Sequence, residues 1–96
     1  TPKRSPLLPN LPPVAEVYPG FEVNSWYGVL APAATPREVV TRFNTAINAS
    51  TKDLAPMLAE IGGYPMHGTP EEFTAFFARE VAKWAKVVNA AGIRPE

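Results

Sequence analysis

Proline is concentrated at the start of this 96-residue chain, and no other sequence feature restricts its folding as strongly. Six of the twelve prolines lie within residues 1–20. Each proline removes a backbone donor, fixes φ and biases the preceding residue toward extended geometry, so this segment can form neither a long helix nor a central strand. Its leucines, valines and tyrosine are too apolar for a free linker. We therefore expect residues 1–20 to form an extended proline-rich crossing segment against a larger body, with one helical turn near Val14–Val17.

The segment 21–31 is predicted to be the main β-strand. Its residues alternate with a period of two, so that one face carries Phe21, Val23, Tyr27 and Val29, and the other carries Glu22, Asn24, Trp26 and Leu30. From Trp26 onward both faces are apolar, which is typical of a strand buried on two sides. Residues 64–67 are expected to form either a short second strand or a simple extended link.

Three helices are predicted after the main strand, at about 36–49, 53–62 and 70–91. The first and third follow the motifs Thr-Pro-Arg-Glu at 35–38 and Thr-Pro-Glu-Glu at 69–72. Both motifs predict a capping box with proline at the first helical position. Residues 50–53 offer caps for the middle helix, and Pro56 would then fall in its first turn. The third helix carries one apolar stripe, made of Phe73, Phe76, Phe77, Val81, Trp84, Val87, Val88 and Ala91, with Arg79, Glu80, Lys83 and Lys86 largely opposite it.

These elements predict an α/β protein whose sheet is incomplete. One strand and one doubtful short strand cannot form a stable sheet, because isolated strand pairs are marginal in water. A strand buried on both faces needs neighbours for its backbone donors and acceptors. We expect the rest of a longer polypeptide, or another copy of this chain, to supply them. Residues 21–96 are thus interpreted as a partial α/β domain.

Composition excludes several classes of function. The formal net charge is zero, which gives no basic field for nucleic acid. The chain has no cysteine and one histidine, and its carboxylates are explained by helix starts and surfaces, so the residues do not support an enzyme. No apolar run approaches the length of a membrane-spanning helix. The N-terminus has no signal-peptide pattern, so an exported protein would carry its signal upstream of these residues.

Four motifs in the same order and spacing resemble one known family. Residues 3–16 read KRSPLLPNLPPVAE and residues 18–23 read YPGFEV, which resembles the "KRSPLLPDVPTVAE…PGFEV" stretch of tripartite tricarboxylate transporter receptors, also called Bug or TctC-type proteins. Residues 25–36, SWYGVLAPAATP, are similar to that family's "SWYGLLAPAGTP". GTPEEF at 68–73 and WAKVV at 84–88, followed by AGI at 91–93, are similar to its C-terminal helix signature. Asn10, Pro13 and Ala34 depart from the usual Asp, Thr and Gly.

The resemblance implies a receptor about three times this size, with a type II periplasmic-binding-protein fold of two α/β domains. This chain would be its C-terminal third, located in the periplasm. The whole receptor would bind a small carboxylate and hand it to the permease subunits of a membrane transporter, without a cofactor or a resident metal. Alone, the chain is expected to bind ligand weakly or not at all, and to self-associate or pair with the missing part of the receptor.

Ser25, Trp26 and Tyr27 are the candidate ligand-binding residues, because the resemblance places this segment near the ligand cleft. A tryptophan offers an apolar wall and one donor to such a pocket. Simple packing of Trp26 under the helices is the more common use of such a residue. His67 lacks partners at metal-ligand spacing and is expected to be a hydrogen-bonded loop histidine. Glu71 and Glu72 are explained by the helix dipole.

A self-contained helical interaction module is the alternative function. Its apolar helix stripe would dock a protein partner. The molecular mass in solution separates the two hypotheses, since a finished module should be a monomer and an unpaired fragment should self-associate.

Overall fold

The computed structural model describes residues 3–5 and 7–94. Within them the chain forms three helices, α1 at Val14–Val17, α2 at Arg37–Glu60 and α3 at Pro70–Ala90. Turns and extended links connect them. The helical turn expected at the end of the proline-rich segment is therefore present.

The α/β class predicted for this chain is wrong. The described residues contain no strand, neither at 21–31 nor at 64–67. A strand exists only as part of a hydrogen-bonded ladder, and none of the other segments that the structure describes forms one with residues 21–31. This segment is instead an extended link that lies on α3 through its side chains. The alternation of apolar and polar residues indicates an extended backbone. It does not indicate whether a neighbouring strand is present to pair with that backbone.

The predicted helices 36–49 and 53–62 are one continuous helix, α2. The hydroxyls that were expected to cap a second helix bond backward instead. Ser50 Oγ donates to the carbonyl of Ala46 at 2.9 Å, and Thr51 Oγ1 to that of Asn48 at 2.6 Å. Serine and threonine can make such bonds without breaking a helix. The helix also continues through Pro56, which lacks the N–H that would otherwise bond the carbonyl of Lys52.

The two Thr-Pro-x-Glu motifs behave differently. At α3 the predicted capping box is formed: Glu72 N donates to Thr69 Oγ1 at 3.1 Å, and Thr69 N to Glu72 Oε2 at 2.8 Å. At α2 the residue before the first helical position is Pro36, and no side chain caps the helix. The capping box predicted at 35–38 is therefore wrong. A Thr-Pro-x-Glu motif forms a capping box only where its threonine is the N-cap residue.

Both long helices end at glycine, as predicted. Gly62 and Gly92 have positive φ values of 73° and 65°. Beyond each of them the next N–H reaches back into the last turn, from Gly63 to the carbonyl of Leu58 at 2.8 Å and from Ile93 to that of Val88 at 3.1 Å. These bonds satisfy carbonyls that a helix end leaves open.

The N-terminal segment is fastened to itself by an ion pair. Arg4 Nε and Nη2 donate to the two carboxylate oxygens of Glu16 at 3.0 and 2.9 Å, and Arg4 Nη1 donates to the carbonyl of Pro9 at 3.2 Å. The bidentate geometry folds this segment back over α1. Thr1, Pro2 and Pro6, which the extended-segment prediction included, lie outside the described residues.

Polar contacts join α2 to the link that precedes α3. Asn44 Nδ2 and Asn48 Nδ2 both donate to the carbonyl of Gly68 at 2.9 Å. One turn further along α2, Thr51 Oγ1 lies 3.0 Å from His67 Nδ1. The exposed pair Arg37–Glu71, at 2.8 Å, adds a weak surface contact between the two helix starts. The relative position of the helices thus depends on hydrogen bonds more than on apolar packing.

The described residues enclose no apolar core. No hydrophobic side chain is buried, and the buried residue that is present, Thr51, is polar. The radius of gyration is 16.5 Å, whereas a compact chain of this length has about 12–13 Å. The accessible surface is 8457 Å², against about 5,400 Å² for a compact protein of this mass. Trp84, expected in the core, is 39% exposed. None of the helices in the described part combines the length and apolarity that crossing a membrane requires.

Candidate functional site

A cleft of about 580 Å³ lies between the 26–29 segment and the first half of α3. The link at 66–69 closes one side of it, and Ile47 of α2 contributes at its base. Its walls are mainly apolar and aromatic. This volume is within the range of small-molecule sites, so the cleft is the candidate functional site of the described residues.

Trp26 forms one wall of the cleft by packing on α3. Its ring meets three phenylalanine rings edge to face, with centroid distances of 5.9 Å to Phe73, 5.1 Å to Phe76 and 6.0 Å to Phe77. Edge-to-face contacts align the positive edge of one ring with the negative face of another. The indole is half-buried by these contacts, and its remaining surface faces the cleft.

Gly28 lets the segment lie close to the helix. A Cβ added at this position would be 2.4 Å from Cζ of Phe73, which is closer than any real contact. A larger residue would therefore push the segment or the ring away. Gly28 is therefore needed for the close approach of the segment to α3, and this approach keeps Trp26 in place on the helix.

The link at 66–69 is held rigidly beside the cleft. Its carbonyl at Gly68 accepts from Asn44 and Asn48, and its histidine contacts Thr51, which is 5% exposed. His67 is thus a hydrogen-bonded loop histidine, as predicted. Among residues 3–5 and 7–94, no group of three or more His, Asp or Glu side chains could hold a metal ion.

Arg79 supplies the cleft with a guanidinium group. The other charged group in the lining, Glu72, is already engaged in the capping box of α3. Arg79 makes no hydrogen bond or ion pair within the part of the chain that the structure describes. An aromatic wall beside a guanidinium is suited to holding a small organic anion.

A charged cluster beside Trp26 joins the segment to α3. Lys83 Nζ donates to Oε1 of Glu80 and, at 3.3 Å, to the carbonyl of Glu22. Trp84 Nε1 donates to Glu80 Oε2 at 3.2 Å, and the ammonium lies 5.6 Å from the centroid of the Trp84 ring. The side chains of Glu80 and Lys83 are 13% and 32% exposed. We call Glu80, Lys83, Trp84 and the carbonyl of Glu22 the Glu80 bridge.

The Glu80 bridge changes the acidity of its carboxyl. The hydrogen bond from Lys83 lowers the pKa of Glu80 below the usual 4.5. Partial burial opposes this effect, while hydrogen bonds from the Trp84 and Trp26 side chains and the charge of Lys83 add to it. Glu80 is therefore ionised across the neutral and mildly acidic range.

The three predicted ligand-binding residues are not equivalent in the structure. Trp26 and Tyr27 line the cleft, with the Tyr27 side chain 98% exposed, whereas Ser25 is exposed and lies outside the lining. The neighbouring Asn24 has a buried Oδ1 with no donor among the described residues. Trp26 packs against α3, which is the more common use of such a residue, and it also lines the cleft. Its contact with a ligand stays a prediction.

Sequence reasoning missed Arg79 and Glu80, which were assigned to the polar side of α3. Glu80 lies four residues from both Phe76 and Trp84, so helical spacing places it on the aromatic stripe itself. That spacing was the available signal. A carboxylate on an apolar stripe needs donors, and here two tryptophans and a lysine provide them.

Comparison with known proteins gives a consistent result. Residues 1–93 match the model of the family described as "Tripartite tricarboxylate transporter family receptor". The chain is 40% identical over 89 residues to a UPF0065 protein from the tcbD–tcbE intergenic region of a Pseudomonas species, covering 88% of this chain and 26% of that protein. It is 33% identical over 94 residues to Protein BugT of Bordetella pertussis, covering 95% of this chain and 29% of that protein.

The chain spans only part of the length of these relatives. Even for a shorter relative, a UPF0065 protein from the clcB–clcD intergenic region of Pseudomonas knackmussii with 32% identity, the matched region is 52% of that protein. No solved structure matches the chain.

Proposed function

Because the chain belongs to the tripartite tricarboxylate transporter receptor family, we propose that it is the C-terminal portion of a periplasmic receptor that binds a small carboxylate. The whole receptor delivers this ligand to the permease subunits of a membrane transporter. It binds its ligand without transforming it. The family match over residues 1–93 is the observation that carries this proposal, and the cleft beside Trp26 is compatible with it.

The exposed apolar surface supports the proposal that the chain works within a larger protein. Its accessible surface exceeds that of a compact protein of the same mass by about 3,000 Å², which is as much as a large obligate interface buries. In the receptor, further polypeptide covers this surface. The proline-rich segment serves there as the crossing between two domains, and residues 21–96 pack in one of them.

In the proposed receptor, Trp26 and Tyr27 contact the ligand and Ser25 lies next to them as a hydrogen-bonding group. The indole of Trp26 gives an apolar surface that α3 already holds in place. Tyr27 also lines this cleft, and its side chain is 98% exposed and so free to contact a ligand. Since both domains of such a receptor enclose a small anion, the chain alone binds weakly or not at all.

Thermal denaturation tests this proposal. Citrate, glutamate or aspartate at millimolar concentration should not raise the melting temperature of the chain alone, because most of the binding free energy comes from outside it. A receptor of the family that carries this chain as its C-terminal part should respond to one of a panel of small carboxylates. In that receptor Tyr27→Ala should weaken binding, whereas Tyr64→Ala, a matched change away from the cleft, should not. If no carboxylate binds the receptor, the proposed function fails.

The alternative of a self-contained helical interaction module is less well supported. Such a module would have a core of its own, and the described residues bury no hydrophobic side chain. The radius of gyration of this chain, 16.5 Å, is also larger than that of a compact domain of the same length.

A further inference from the structure

The segment that carries the candidate ligand residues is attached to α3 at three successive points. The carbonyl of Glu22 accepts from Lys83 at 3.3 Å. Trp26 packs among the phenylalanine rings of α3, and Gly28 lies against Phe73. The contacts of Trp26 and Gly28 involve aromatic rings, and those of Trp26 are edge to face. The contact of Glu22 is polar and holds the start of the segment at a definite place along the helix, ahead of the aromatic wall.

Lys83 cannot fix that position by itself. A lysine side chain is a flexible stem with a strongly hydrated ammonium, and it rests in one place only when a partner holds it there. Glu80 is that partner, one turn earlier on the same helix. Its other oxygen is held by the indole of Trp84 at 3.2 Å, which fixes the carboxylate in turn.

We propose that Glu80 is the positioning residue of the candidate site: its carboxylate holds Lys83 against the carbonyl of Glu22 and so keeps Trp26 docked on α3, with Ser25 and Tyr27 on either side of it. This inference relies on the proposed function only in treating these three residues as ligand contacts. The docking itself is a property of the chain. Glu80 touches no ligand and acts through the lysine.

The negative charge of Glu80 is essential to this role. A neutral glutamine in its place could still accept from Trp84, but it would attract the ammonium far less. The groups that face Glu80 are Lys83 and Trp84 from α3, and Trp26 from the segment. Glu22 contributes its carbonyl, while its own carboxylate accepts from Asn24 at 3.0 Å. Lys83 is therefore the cation that the carboxylate orients.

Acid should release the segment, and the sign follows from the direction of the shift. The hydrogen bond from Lys83 lowers the pKa of Glu80, so the Glu80–Lys83 pair that holds the segment is stabilised by ionised Glu80 at pH values above 4.5 and loses this support as the pH falls through the lowered value. The release should consequently occur below pH 4.5. Above that range, docking should not depend on the protonation of this carboxyl.

The NMR signal of the Trp26 indole tests the proposal directly. The chain contains two tryptophans, and their indole N–H signals can be followed separately, so no member of the Glu80 bridge has to be replaced to observe Trp26. At neutral pH, Glu80→Gln should remove the nuclear Overhauser contacts between the Trp26 indole and the phenylalanine rings, because Trp26 leaves these rings. Lys83→Gln should do the same, and Lys83→Arg should largely preserve the parent signal. The matched controls Glu60→Gln and Lys86→Gln change exposed residues and should leave it unaltered.

Two results would overturn the proposal. One is a Trp26 signal that is the same in Glu80→Gln as in the parent. The other is an equal change in the Glu60→Gln control. Helix content is followed in parallel by circular dichroism, so that release of the segment is distinguished from loss of the helices.

Where Glu80→Gln itself unfolds the helices, an acid titration of the parent chain decides the question. The Trp26 contacts should be lost below pH 4.5 and before the helical signal is lost, and Glu22→Gln should leave that transition in place. Simultaneous loss of the Trp26 contacts and the helical signal, or Trp26 contacts that do not change, would contradict the proposal. No ligand enters these measurements, so their failure is separate from a failure of carboxylate binding.

Discussion

At the scale of single residues, Thr51 shows how a polar side chain can organise a structure that lacks an apolar core. It is 5% exposed, and its hydroxyl contacts both the carbonyl of Asn48 and the ring of His67. The first contact is local to α2, whereas the second ties the helix to the link beside the cleft. A buried hydroxyl with two partners is costly to remove, because its loss leaves those partners without a bond.

We expect Thr51→Val to lower the free energy of unfolding by about 1 kcal/mol, since valine keeps the shape and removes the hydroxyl. Thr41 provides a matched control: its hydroxyl bonds the carbonyl of Arg37 at 3.0 Å in the same helix, but the residue is exposed. Thr41→Val should change the free energy by no more than about 0.5 kcal/mol. Urea denaturation followed by circular dichroism measures both, and equal effects would show that the His67 contact is unimportant.

At the scale of elements, the two copies of one capping motif offer an internal comparison. Thr69 caps α3 through its side chain, whereas α2 begins without a side-chain cap although Thr35 stands at the same place in its motif. The amide of Thr35 instead donates to the carbonyl of Pro32 at 3.0 Å, which closes a turn before the helix. The same four-residue pattern thus has two structural uses.

Thr69→Ala should destabilise α3 by about 1 kcal/mol, the usual cost of losing an N-cap side chain. Thr35→Ala, the same change in the other motif, should alter stability by less than about 0.5 kcal/mol. Thermal and urea unfolding curves of the two variants give the comparison. A larger effect at Thr35 would mean that its hydroxyl does cap α2.

Pro56→Ala should stabilise the chain, by as much as about 3 kcal/mol, because proline in a helix interior removes one hydrogen bond and crowds the preceding turn. Pro70, at the first position of α3, is the control, and Pro70→Ala should have little effect there. Destabilisation by Pro56→Ala would instead favour a break near residue 53 and two separate helices.

An element was predicted correctly from the sequence where neighbouring residues alone determine its structure. The third helix, its cap and both glycine stops follow from neighbouring residues and were predictable from sequence. The strands were not, since 21–31 has the pattern of a strand and lacks a neighbour within the described residues. The break in α2 was mispredicted because the hydroxyls of Ser50 and Thr51 can serve as caps or bond backward with equal ease. In the cleft, Trp26 was predicted, while Glu80 was hidden by the assumption that charges face solvent.

At the scale of the whole molecule, the large exposed apolar surface is the feature that determines how the chain should behave in solution. Phe43 on α2, and Tyr64 and Met66 on the link between α2 and α3, are each about two-thirds exposed. Association is expected to stabilise a chain with this surface, because burial of apolar area is favourable wherever a complementary surface exists.

The isolated chain should therefore self-associate at micromolar concentration. Sedimentation velocity or light scattering should give a mass above that of one chain, decreasing on dilution. Phe43→Ser should reduce this association, whereas Glu60→Gln, an isosteric change of an exposed residue on the same helix, should not. A sharp monomer over the whole concentration range would favour the interaction-module alternative.

The long extended link has a consequence for how the chain can be cut. From Glu22 to Ala34, none of the main-chain N–H groups donates to another described residue. Proteases bind their substrates as extended strands, and a stretch with free amides fits such an enzyme without prior unfolding. Limited digestion should first cleave here, beside the exposed Leu30, beyond the residues that pack on α3. The products would be an N-terminal peptide and a resistant C-terminal piece that contains α2, α3 and the link between them.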